Sequence, residues 1–125
     1  MKQGIVVLGH GSRASVGEAN QVVFQISDII KQRLGSDLVE TAIMNRKSEL
    51  ATIEDAVASL VARGADSIVV VPMFFANGIH IQHDIPEEIS ALKARFPGVA
   101  VTMGAHLGPD PRIADILLDR IREAE

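Results

Sequence analysis

Four histidines, His10, His80, His83 and His106, are the residues whose types and positions could do chemistry together in this chain. Each follows an apolar, β-branched run and precedes an amphipathic stretch: His10 after GIVVL, His80 and His83 after SIVVVPM, His106 after VAVTM. Histidines scattered over a surface would not usually avoid every helix body and every helix-to-strand loop. Neutral imidazole ligates borderline divalent ions such as Co, Ni, Fe and Zn, and it accepts protons near neutral pH. Metal binding and proton transfer are therefore the chemistries to which the set points. The plainer reading of any one of them is a polar loop residue, and it weighs most on His83.

The first histidine sits in Gly9-His10-Gly11-Ser12-Arg13, where flanking glycines let the backbone approach a ligand closely. Gly11, Ser12 and Arg13 form a candidate cradle for anionic groups at a helix N-terminus. The alternative is a tight strand-to-helix turn. The motif lacks both the lysine of a phosphate-binding loop and the full glycine pattern of a dinucleotide fold. Asn77-Gly78 permits a turn that would present His80. Asp84, with Pro86 close behind, reads as a helix cap before it reads as a catalytic acid.

These loops need strands to aim them. Gly4 to Leu8 is a continuous apolar run, as in a strand buried on both faces of a parallel sheet. From about Ser15 to Leu34, Ala19, Val22, Val23, Ile26, Ile29 and Ile30 recur at helical spacing, with a Ser15–Glu18 capping box and Gly35 as the stop. Leu38 to Met44 is less apolar and reads as an edge strand. A second helix is expected from about Ser48 to Arg63, ended by Gly64. Ser67 to Met73 reads as a central third strand. Asp84 opens the third helix and Phe96-Pro97-Gly98 closes it. Val99 to Met103 is the fourth strand, and Asp110-Pro111 opens a last helix.

This βαβαβαβα alternation implies an α/β fold, a parallel sheet with helices on both faces. Right-handed crossovers make 2-1-3-4 the simplest strand order. Strands 1 and 3 are then neighbours at the switch point, where such sheets bind ligands outside the strands' carboxyl ends. His10 and His80 face each other there.

The 125 residues, 47% of them hydrophobic, suffice for one domain spanning 1–125. There is no cysteine, which excludes disulfides and thiolate sites and fits a reducing, cytoplasmic setting. Four Phe, no Trp, no Tyr and a net charge of −4 argue against a nucleic-acid partner. The apolar run near the start is too short for a signal peptide or a membrane span. A local group of Arg and His could still receive an anionic substrate.

Three segments together, GHGSR, VVVPMFFANGIHIQHDIPEEI and HLGPDPRIADILL, resemble the short class II chelatases over essentially the whole chain. These are the CbiX-type sirohydrochlorin cobaltochelatases and their SirB-type ferrochelatase relatives. The resemblance implies a flavodoxin-like fold, a cleft for sirohydrochlorin and insertion of a divalent metal. Co2+ comes first, with Fe2+ or Ni2+ as alternatives, and no cofactor is needed beyond the metal substrate. It implies a homodimer with no membrane or nucleic-acid partner. His10 and His80 become the metal-binding and proton-accepting pair, with His83 and His106 as further candidate ligands. Gly11, Ser12 and Arg13, together with Gly78 and Asp84 of the second motif, become candidates for holding the macrocycle.

Two departures stand out. Many relatives carry a glutamate and a following proline after the second strand, in a pattern like F-L-E-x-x-x-P. Here the chain reads Ile43-Met44-Asn45-Arg46-Lys47-Ser48-Glu49-Leu50-Ala51, with Glu49 expected in the first turn of helix 2. His106 stands where relatives often carry proline. A non-catalytic carrier of metal or tetrapyrrole on the same scaffold is the competing reading. A phosphate- or nucleotide-binding module built on GHGSR is a weaker third.

Overall fold

The structure, a computed structural model, describes residues 2–11, 18–44, 52–76, 78 and 80–125, without the side chains of residues 18, 19, 80 and 81. Strand β1 (Gln3–Gly9) leads to helix α1 (Glu18–Leu34), β2 (Val39–Ile43), α2 (Ile53–Ala62) and β3 (Ser67–Pro72). A π-helical turn, His80–Asp84, runs into α3 (Ile85–Arg95), followed by β4 (Ala100–Met103) and α4 (Pro111–Glu123). The four strands pair in parallel in the order β2-β1-β3-β4, as the alternation of elements predicts. No described helix is long and apolar enough to cross a membrane.

The strands' apolar runs are explained by what covers them. On one side Val6, Leu8, Ile68, Val70 and Val101 pack with Ile53, Ala56, Val57 and Leu60 of α2 and Ile85, Ile89 and Leu92 of α3. On the other side the buried set is small: Val7, Val39 and Ile43 under Val23 of α1. A hydroxyl chain ties α1 to the edge strand. Thr41 donates to Ser27 (2.8 Å), which donates to the Val23 carbonyl (2.9 Å). Both hydroxyls are buried, and their pairing offsets the cost of removing them from water.

Helix boundaries depart from the expected ones in two places. Helix α2 does not begin at Ser48, which lies outside the described residues, because Thr52 has an extended backbone (φ −82°, ψ 172°) that breaks any helix there. Thr52 accepts the Asp55 amide (3.2 Å), and the Asp55 carboxylate accepts the Thr52 amide (3.1 Å). This reciprocal box satisfies two helix-end donors and starts the helix at Ile53. Glu49 is therefore not in the first turn of α2, where Glu54 and Asp55 stand. Asp84 is not a side-chain cap either: its backbone is already helical and its carboxylate caps no amide, since the π turn has begun at His80. The Ser15 cap of α1 lies outside the described residues. The expected opening of α4 is present. Asp110 accepts the Arg112 amide (2.9 Å), and the Arg112 guanidinium beside it holds its carboxyl well below the usual carboxylate range.

The capping box of α2 makes a testable statement. Thr52→Ala should lower stability by about 1 kcal/mol, the usual worth of such a cap. In urea the midpoint should fall while the slope stays unchanged.

Candidate functional site

The site is built by the pairing of the two central strands. Leu8 lies beside Pro72, and the Met73 amide donates to the Leu8 carbonyl (2.8 Å). Two residues further along each strand, His10 and Phe74 come side by side. Their ring centroids are 5.4 Å apart with planes tilted by 60°, within the range of favourable edge-on ring contacts. Phe74 is buried and His10 exposed. The phenyl ring thus forms a wall beside the exposed imidazole.

Gly9 sets the approach. A Cβ there would stand 2.8 Å from Val23 Cγ2 and 3.0 Å from Ile43 Cδ1, so only glycine fits beneath α1 at this point. Gly11 follows with φ at 86°, a backbone that turns the chain away from the strand and suits glycine alone. His10 Nδ1 lies 3.4 Å from the Gly11 carbonyl.

His10, Met73, Phe74, Phe75, Ala76 and Gly78 line a hollow of about 400 Å3 at the carboxyl ends of β1 and β3. It occupies the switch point. Among the described residues, a Cβ on Gly78 would meet nothing within 4 Å. Its amide reaches the Ala76 carbonyl (3.2 Å), and its own carbonyl accepts the Gln82 amide (3.1 Å), which leads the chain into the π turn. Such turns occur disproportionately at functional sites. A larger hollow, about 490 Å3, lies between α2 and α3. Among the described residues it carries no histidine, and it is crossed by the Arg95–Glu54 ion pair, so the smaller one is the chemically equipped site.

The other expected residues distribute as follows. The side chain of His80 and the whole of Ser12, Arg13 and Asn77 lie outside the described residues. His83 is not on the hollow's wall. Its Nδ1 lies 3.5 Å from Asp84 and its Nε2 3.8 Å from Glu87, a surface cluster on its own helix. His106 is half-buried in the loop after β4, and that loop is tied to the hollow's wall. Leu107 donates to the Phe74 carbonyl (2.9 Å) and Gly108 to that of Phe75 (3.0 Å). Among the described residues, no group of three or more His, Asp or Glu gathers to hold a metal ion.

Sequence reasoning missed the apolar wall. Two of the four phenylalanines, Phe74 and Phe75, stand in the site, and Phe75 is 71% exposed. The available signal was the pair of large aromatics directly after a strand-ending Met73, in a chain otherwise poor in aromatic residues.

Comparison with known proteins fits this geometry. A family model named CbiX matches residues 4–124. A sirohydrochlorin cobaltochelatase of Methanosarcina acetivorans is 37% identical over 130 residues, covering 98% of this chain and 97% of that protein. A sirohydrochlorin ferrochelatase of Priestia megaterium is 35% identical over 119 residues, covering 95% of this chain but 43% of that protein. Among solved structures, the sirohydrochlorin chelatase SirB of Bacillus subtilis subspecies spizizenii, in complex with cobalt, superposes with a TM-score of 0.87 at 32% identity. It covers 98% of this chain and 51% of that one. The chain thus spans about half the length of two of these relatives and nearly all of the third.

The fit beneath α1 yields an expected outcome. Gly9→Ala should destabilise by about 1–3 kcal/mol through overpacking. Combined with Val23→Ala, the cost should be less than the sum of the two single changes, because the new methyl enters the space that Val23 leaves. Strict additivity in denaturation midpoints would show that the two sites do not touch.

Proposed function

The chain belongs to the CbiX family, and we propose that residues 1–125 act as a single-domain chelatase that inserts Co2+ into a sirohydrochlorin-type tetrapyrrole. One observation carries the reading: an exposed imidazole, backed by Phe74, stands on the wall of an otherwise apolar hollow at the switch point. Cobalt is put before iron or nickel because the relative matched along almost its whole length is named a cobaltochelatase. Imidazole itself suits all three ions.

The reaction replaces two pyrrole protons by one divalent ion, which must first lose bound water. His10 and His80 are proposed as the pair that holds the metal and takes up the protons. Two neutral imidazoles can bind the ion without trapping it, and each becomes a proton acceptor as the ion leaves. The apolar wall of Met73, Phe74 and Phe75 suits the flat face of a macrocycle. Gly11, Ser12 and Arg13, with Gly78 and Asp84, are proposed to hold its polar rim, Arg13 by charge-assisted pairing to carboxylates. His106 and His83 are kept as secondary ligands. No cofactor is assigned beyond the metal substrate. A hollow of about 400 Å3 is small for a whole tetrapyrrole. The reading therefore includes a homodimer, working in the cytoplasm, in which each chain supplies one wall of the cleft.

The test is an absorbance assay of sirohydrochlorin with Co2+, Fe2+ and Ni2+ separately, with turnover fastest for Co2+. His10→Ala and His80→Ala should each lower kcat by on the order of 10²-fold or more, the range of a lost acid–base group, while circular dichroism stays unchanged. If the double variant keeps the wild-type excess over the uncatalysed rate, the assignment fails. Arg13→Ala should raise KM for the tetrapyrrole more than it lowers kcat. A second reading, a carrier without turnover, is favoured by the departure in the loop after β2. It predicts one metal or macrocycle bound per site and no product release.

A further inference from the structure

Helix α1 lays one face on β1 and β2, with Ser27 bonded to Thr41 and Val23 packed against Gly9. Asn20 continues that face one turn earlier and is only 5% exposed. Among the described residues, its Nδ2 is a buried side-chain donor that meets no acceptor. The other polar groups of this face are matched. The Ser27 hydroxyl donates to the Val23 carbonyl and accepts from Thr41. Buried donors without a partner are rare in folded proteins, because each loses its bond to water and gains nothing in return.

The position of this amide follows from how helix and strands run together. Thr41 lies beside Val7, and Ile43 beside Gly9. Ser27 therefore stands at the level of Val7, and Val23 at that of Gly9. Three helical residues towards the N-terminus advance about 4.5 Å, whereas one strand residue advances about 3.3 Å. Asn20 thus stands between one and two residues past Gly9, at the level of His10 and Gly11. Gly11 has no side chain with which to reach the amide. The same edge carries the hollow: Met73 packs with the apolar set under α1 and also lines the hollow with His10. The unpaired donor therefore flanks the site on its α1 side.

The chemistry of the amide selects what it can hold. Nδ2 only donates, so its partner must be an acceptor. Asn20 is the third residue of α1. The first backbone amides of a helix have no partner within it, and they carry the positive end of its dipole, which favours an anion. Val23 and Ile43 are apolar and buried, and a hydrogen bond in such surroundings is stronger than one in water. We propose that Asn20 is a substrate-binding, specificity-determining residue: its side-chain amide donates to a carboxylate on the rim of the bound tetrapyrrole, on the flank of the ring next to α1. A macrocycle without a carboxylate at that edge leaves the buried donor unpaired and is rejected for that reason.

The inference rests on the tetrapyrrole substrate proposed above, and the test separates the two. Asn20→Leu keeps the branching of the side chain and removes the amide. Its urea midpoint should be no lower than that of the wild type, because an unpaired buried donor does not stabilise the fold. Sirohydrochlorin alone, titrated by absorbance, should bind about ten- to a hundredfold more weakly, the loss expected for a hydrogen bond to a charged group. In the Co2+ assay KM for sirohydrochlorin should rise by the same factor, with kcat and KM for Co2+ changed by less than about threefold. Asn20→Asp, alike in shape but acidic, should bind more weakly still. Should the apolar Leu disturb packing, Asn20→Ala is read in the same titration. Unchanged macrocycle affinity without the amide, or an Asn20→Asp chain that binds as tightly as the wild type, overturns the role. A lowered urea midpoint with equal losses in kcat and in both KM values also overturns it, since an amide that only holds the fold behaves so. A wild type that binds sirohydrochlorin without metallating it ends the chelatase reading, while the titrations still decide Asn20. A wild type that binds none removes both.

Discussion

Six residue pairs, from Gln3 beside Ser67 to Leu8 beside Pro72, hold β1 and β3 together in parallel. The rest of the molecule depends on that register. Both strands run out at the same level, so the residues just beyond them, His10 on one and Phe74 on the other, share one place at the sheet's edge. A parallel ladder tolerates no one-residue slip, because every side chain would change face. Val6 and Leu8 would then leave the interior beneath α2 and α3, and His10 would lose its place against the phenyl ring. The chemistry at the edge is thus held by the same apolar burial that holds the sheet.

The two sides of that sheet are filled unequally. Helices α2 and α3 bury a broad set that reaches from Val6 to Val101. Among the described residues, the buried apolar set under α1 is only Val7, Val23, Val39 and Ile43. A chain that filled only one side would leave apolar surface in water at a cost of about 25 cal/mol for each Å2.

The site illustrates a division of labour between backbone and side chains. Gly9 is required by the nearness of Val23 and Ile43, and Gly11 by its positive φ. Between them they leave His10 as the first residue past β1 that can project from the sheet. Phe74 and Phe75 supply the apolar wall, and the loop after β4 braces them through their carbonyls. Catalytic groups on such loops keep their geometry because the strand ends beneath them are rigid.

Much of this was legible in the sequence because the signals are local. Continuous β-branched runs marked strands buried on two faces, helical spacing marked α1, start and stop residues marked α3 and α4, and the crossover rule then left one simple strand order. His10 followed from its position two residues past the first run. What failed was also local in origin but decided by competition. Ser48 and Glu49 looked like a helix start until Thr52 and Asp55, four and six residues further on, formed the better box. Asp84 looked like a cap until the π turn began the helix before it. Periodicity states that α4 has an apolar stripe, yet it carries no information on what the stripe meets. The sequence by itself determined the elements, their order and the edge where chemistry gathers. Only the tertiary structure decided which wall that edge presents and which apolar surfaces stay exposed, because burial belongs to the packed whole.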